Sequence, residues 1–211
     1  MLEDLGVPPL PTDTTESSPR EAQENLRRIR ELMERPHQHS TFSGLSGVLA
    51  GSASIVGCLF TNRLANRPAS EQYSAQLGIW LSVIIFALVA DYLLTKRRAA
   101  TVGKRILSRL GRQMFIAAAP ALGTGALLTF YFWKRGLLAE VYPFWMLCYG
   151  VAVCAVGLFS RREVLLLGVS FLLLGGLSLF LLPQNDLLMM GLAFGGLHIA
   201  YGLMMSRKDG W

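Results

Sequence analysis

The sequence predicts an all-α protein: a six-helix transmembrane bundle of three hairpins, preceded by a short cytoplasmic amphipathic helix. Three observations predict it. Of 211 residues, 52% are hydrophobic and only 16% charged, and the mean hydropathy is +0.41, whereas soluble domains run near a quarter charged. The charges are clustered, crowding into residues 1–42 and 96–112. Between these clusters lie six nearly uncharged runs, each close to the ~20 residues a helix needs to cross a hydrocarbon core about 30 Å thick. A cytosolic enzyme does not fit that pattern. Nor does a nucleic-acid binder, despite a formal net charge of +6.

The elements follow in order. Residues 1–18, with Pro8, Pro9, Pro11 and the polar run from Thr12, predict a disordered tail. Ser18-Pro19-Arg20-Glu21 then forms a capping box with proline at the first helical position, opening a helix that ends before Pro36. Residues 19–41 are this cytoplasmic amphipathic helix and its linker. Leu26, Ile29, Leu32 and Met33 share its apolar face with Ala22, while Glu24/Arg28, Arg27/Glu31 and Arg30/Glu34 are spaced to pair along its surface. A membrane-surface helix is usually rich in Lys and Arg alone. The mixed charge here points to helix–helix contact, with a second copy or a protein partner.

The bundle occupies residues 42–205, with spans expected at 42–59, 77–94, 114–133, 137–159, 164–182 and 187–205, and a cytoplasmic tail at 206–211. Barrel strands are excluded because the runs lack polar alternation. Sixteen of the twenty Lys and Arg residues fall in the tails and in the loops after spans two and four. That bias places both termini in the cytoplasm. The acidic start Met1-Leu2-Glu3-Asp4 lacks the basic n-region of a cleavable signal, so the first span is read as an uncleaved anchor. Between spans two and three, Lys104, Arg105, Arg109 and Arg112 lie opposite Val102, Ile106, Leu107 and Leu110, the pattern of a basic helix resting on the anionic cytoplasmic leaflet.

Span one carries a stripe of small residues, Gly44, Gly47, Gly51, Ser54 and Cys58, at steps of three and four. Such stripes let helix backbones meet, within one chain or between two copies. Gly191, Gly195, His198 and Gly202 repeat the pattern in span six, setting His198 along a glycine-lined face. Span three contains Pro120 with Gly123 and Gly125, which predicts a kink or local unwinding. Cys58, Cys148 and Cys154 are scattered, without metal or redox spacing.

Little sequence remains for chemistry outside the membrane. There is no P-loop, HExxH or dinucleotide fingerprint. No cofactor and no metal site are expected. Intramembrane ionisable residues are then the candidate sites. His198 lies deepest, ~16 Å into its span by helix rise, with Tyr142, Ser170, Ser178 and Tyr201 as possible partners. Asp91 is spaced to pair with Lys96 or Arg97, and Glu140 with Lys134 or Arg135. Gly168-Val169-Ser170 with His198 is similar to the serine and histidine of the rhomboid proteases. The glycine–serine–glycine element of that family fails at Phe171, and the serine sits one span too late. A b-type haem held by two buried histidines would need a symmetric dimer.

Arg30-Glu31-Leu32-Met33-Glu34-Arg35, followed by Ser40-Thr41-Phe42-Ser43-Gly44-Leu45-Ser46-Gly47 and Ala50-Gly51, resembles the start of an uncharacterised bacterial inner-membrane protein family. The resemblance implies a bacterial inner membrane and no activity. The sequence reads first as a non-enzymatic regulatory or scaffold subunit, acting by self-association or with a protein partner through helix 19–35. Its alternative is a small transporter or channel using His198 and the kinked third span. The lipid bilayer is the other partner, and nucleic acid is not one.

Overall fold

The structure, a computed structural model, describes residues 23–27, 44–101 and 109–209. Ile29, Leu32, Met33, Lys104, Arg105 and the tail 1–18 lie outside the described residues. Residues 23–27 are helical with exposed side chains, Leu26 among them. The other described residues hold six helices long and apolar enough to cross a membrane: Gly44–Arg63, Glu71–Arg97, Gly111–Arg135, Leu138–Gly157, Arg162–Leu181 and Pro183–Lys208. They are called spans one to six below. There is no strand among the described residues.

The spans match the apolar runs because in a membrane each run must satisfy its backbone hydrogen bonds internally, and a helix does so. Two boundaries differ from expectation. Span two belongs to one 33-residue helix, Ala69–Thr101, which starts well before residue 77. Span six begins at Pro183, so the expected loop 183–186 is a 3-10 turn running into helix at Asp186. Proline at the start of that turn loses no hydrogen bond, because the first N–H groups of a helix are unpaired anyway.

Three hairpins pair spans one with two, three with four, and five with six. The closest packing crosses between hairpins, where span one lies on span six and span four on span five. The span-one stripe is consumed inside the chain. A Cβ on Gly51 would sit 2.7 Å from the Gly195 carbonyl, one on Gly47 3.1 Å from the His198 carbonyl, and one on Gly202 2.5 Å from the Gly44 carbonyl. Gly44 faces Gly202 and Ser206, Gly191 faces Cys58, and the Ser54 hydroxyl bonds back to Ala50. Two backbones therefore meet with almost no side chain between them.

Spans four to six meet differently. Tyr142, Met146, Phe171, Met189, Met190 and Ala193 form a buried core, with Trp80, Trp145, Tyr149 and Phe194 packed against it. Span three stays helical through Pro120, so the expected local unwinding is not present. Thr124 donates to the carbonyl of Pro120, four residues back, at 2.9 Å. This span packs chiefly on span four, where Trp145 donates to Thr129 at 2.7 Å. Spans two and three turn large apolar side chains outward, including Ile85, Leu88, Phe115 and Leu127.

Within span six, Gly191–Leu197 is a π-helix. An α-helix turns ~100° per residue, so residues four apart drift ~40° round its axis. The wider π turn opposes that drift. Asp186, Met190, Phe194 and His198, each four apart, consequently stay on the face that meets spans four and five.

Candidate functional site

The deepest polar contact joins spans four and six. Tyr149 and His198 are partly buried, with the tyrosine hydroxyl 2.8 Å from Nε2. Three rings close round the imidazole. Phe171 meets it edge-on at 5.4 Å between centroids, Phe194 stacks at 17° and 5.9 Å, and Tyr149 lies at 5.4 Å. The other nitrogen, Nδ1, is buried and faces the carbonyls of Ala193 and Phe194 without completing a hydrogen bond to either. A proton on Nδ1 suits that pair of carbonyls. We therefore assign Nε2 as the acceptor of the Tyr149 hydroxyl.

The site corrects the expected geometry of His198. The glycine face of span six meets span one, and only the backbone carbonyl of His198 lies on that seam. Its ring turns instead to spans four and five, because a helical side chain leans off its own Cα toward the preceding turn. That lean brings it over Phe194.

The expected partners divide. Tyr201 lies within electrostatic reach of Tyr149. Ser170 is not at the site: it is half-buried and donates to the Leu166 carbonyl on its own helix at 2.9 Å. Ser178 and Tyr142 belong to a separate group nearer the other end of the bundle. Tyr149, the actual partner, was not among the expected residues, although it lies seven residues from Tyr142 and so on the same helix face.

Asp91 also departs from expectation. It faces Ser46 of span one and acts electrostatically on Tyr149, while Lys96 lies over the Tyr92 ring at 6.0 Å. Asp91 thus joins the inner group from span two, and makes no ion pair among the described residues. Glu140 stands in the first turn of span four, away from His198. Lys134 and Arg135 engage aromatic rings rather than Glu140. Lys134 sits 4.7 Å from the centroid of Phe130, and Arg135 5.7 Å from Tyr131. Cations over rings at a helix end suit the interfacial belt. Arg109 opens the third long helix, and Arg112 is exposed one turn on.

A second polar group joins Tyr142 and Ser178, expected as partners of His198, to Asp186, which the sequence places in a loop. Asp186 is only 7% exposed and accepts a hydrogen bond of 2.5 Å from the fully buried Ser178. Tyr142, 6% exposed, has its hydroxyl within electrostatic reach of Asp186 and of Cys58. Its hydroxyl and the indole N–H of Trp80 approach each other, yet neither completes a hydrogen bond among the described residues. Assigning Asp186 to a loop hid this group.

Both groups hold proton donors and acceptors. The described residues contain no cluster of three or more His, Cys, Asp or Glu able to hold a metal. The available space lies elsewhere. A groove of about 770 Å³ runs between spans one and two, lined by residues such as Ser52, Gly57, Gly78 and Ser82, and a cleft of about 330 Å³ is lined by Tyr73, Ser74, Trp133 and Lys134. No family model, curated protein or solved structure matches this chain.

Proposed function

We propose that this chain is a small transport protein of a bacterial inner membrane, with both termini cytoplasmic, that moves protons through its bundle without enzymatic chemistry. The observation that carries this reading is the Tyr149–His198 pair at 2.8 Å, set in the middle of the spans. An imidazole can hold or release a proton at either ring nitrogen, and a titratable group within a membrane is costly to keep unless it is used. Asp91 and Tyr201 add ionisable groups within electrostatic reach of Tyr149. Close packing supports a proton as the cargo. Met146, Phe171 and Ala193 are wholly buried beside the polar groups, which suits a proton better than an organic solute.

The test is proton uptake into proteoliposomes under a potassium-diffusion potential, read with a trapped pH dye. Wild-type protein is expected to carry protons, and His198→Gln, which keeps a hydrogen-bonding side chain but cannot titrate, is expected to fall to the level of protein-free vesicles. Equal flux in the two proteins, or none in wild type, rejects the reading.

One observation supports an association role beside this. Leu26, on the apolar face of the cytosolic helix, is 66% exposed. A regulatory or scaffold subunit would use that face to hold a partner or a second copy. The bundle no longer argues for self-association through span one, because its glycine stripe is occupied by span six. Deleting residues 1–35 tests the role of the helix: unchanged native mass and unchanged co-purifying partners count against it.

A further inference from the structure

We propose that Asp186, with Ser178 and Tyr142, forms a second proton station, the point of exchange at the end of the bundle where span five turns into span six. This rests on the reading of Tyr149–His198 as a proton relay and adds a second point of exchange to it.

The argument begins with the burial of the carboxyl group. A charge taken out of water is held only where it is paired and hydrogen-bonded. Here the described residues supply one donor, the Ser178 hydroxyl at 2.5 Å, and no cation. Facing Asp186 are Tyr142 from span four and Ser178 from span five, while Cys58 of span one lies beside Tyr142 and donates to the Leu187 carbonyl at 3.7 Å. None of the three is a permanent positive charge. A carboxyl group so placed is suited to exist with its proton as well as without it.

The second observation is independent of Asp186. The Tyr142 hydroxyl is buried beside it and completes no hydrogen bond among the described residues, the indole N–H of Trp80 being the donor that approaches it. A buried hydroxyl left unbonded is costly. A hydroxyl that both donates and accepts is, however, the group a proton needs for its next step inward.

Alignment is the third. Asp186 and His198 share one face of span six, ~18 Å apart by helix rise, and Tyr142 and Tyr149 share one face of span four, ~10 Å apart. The two stations are thus matched on facing helices. Between them lie Met146, Met190 and Ala193, all buried and without polar side chains. A proton cannot pass that layer by hydrogen-bond exchange alone. The layer separates the stations as a gate would, so that each exchanges with its own side of the membrane.

Asp186→Asn is the decisive variant, because an amide oxygen still accepts from Ser178 while the titratable proton is gone. In the proteoliposome assay its flux is expected to fall to the level of protein-free vesicles, with a thermal midpoint close to wild type. Ser178→Ala, which leaves the carboxyl in place but removes its donor, is expected to give reduced, measurable flux. Wild-type flux in Asp186→Asn, while His198→Gln is silent, overturns the second station and leaves the relay standing. No flux in wild type removes the relay and the station together. If Asp186→Asn does not fold, Ser178→Ala decides, and flux equal to wild type there overturns the proposal.

Discussion

Spans one and six touch through their backbones, whereas spans four, five and six touch through rings and thioethers. On the first seam Gly44, Gly47 and Gly51 lie against Gly202, the His198 carbonyl and Gly195. On the second, Phe171 fits among Tyr149, Phe194 and His198 with centroids 4.8–5.4 Å away. The difference follows from the solvent. Lipid is as apolar as leucine, so helices gain little by hiding leucine from it. They associate by packing closely, and glycine faces and interlocked rings are two ways of doing so. The glycine seam buries only serine hydroxyls bonded back to their own helices, such as Ser54 and Ser206, and both groups of titratable side chains lie on the second.

Substitutions can break each side of this contrast. Phe171→Ala empties the ring-packed side and is expected to lower stability by about 3–5 kcal/mol. Thermal unfolding in detergent, followed by tryptophan fluorescence, reads the loss. A change under about 1 kcal/mol would show that the rings are ornamental to the fold. Gly202→Ala tests the glycine seam. Its methyl group would stand 2.5 Å from the Gly44 carbonyl and 2.8 Å from the Val48 amide. Overpacking of this kind costs about 1–3 kcal/mol, and a neutral result would mean that the two backbones do not meet. Gly123→Ala sharpens the comparison with the same chemical change at an open site. Nothing lies within 4 Å of its added carbon, so helix propensity alone is expected to raise stability by up to about 1 kcal/mol.

Much of the fold was legible in the sequence because length and hydropathy act over whole runs. A run of twenty apolar residues has one good solution in a bilayer, and all six were found. Spacing also revealed the stripe from Gly44 to Cys58, since a three–four repeat fixes a helix face. It could not reveal the occupant of that face, because a glycine offers no chemistry that chooses between span six and another copy. The candidate site was legible only in part. His198 stood out as an ionisable group in a charge-poor run. Tyr149 did not, being one tyrosine among several, and its only signal was its spacing from Tyr142. Asp186 was misplaced because Pro183 reads as a loop, whereas here proline starts a helical turn. The π segment left no mark in composition, for its glycines serve equally in an α-helix that packs closely.

The glycine seam has a mechanical consequence. Side chains can change rotamer and let neighbouring helices slide, but glycines have none to change. To shift by one turn, spans one and six would have to draw apart far enough for their carbonyls to clear one another. They form a fixed keel. The other helices are mounted round that keel, and span two is packed mainly on span one along a groove of about 770 Å³.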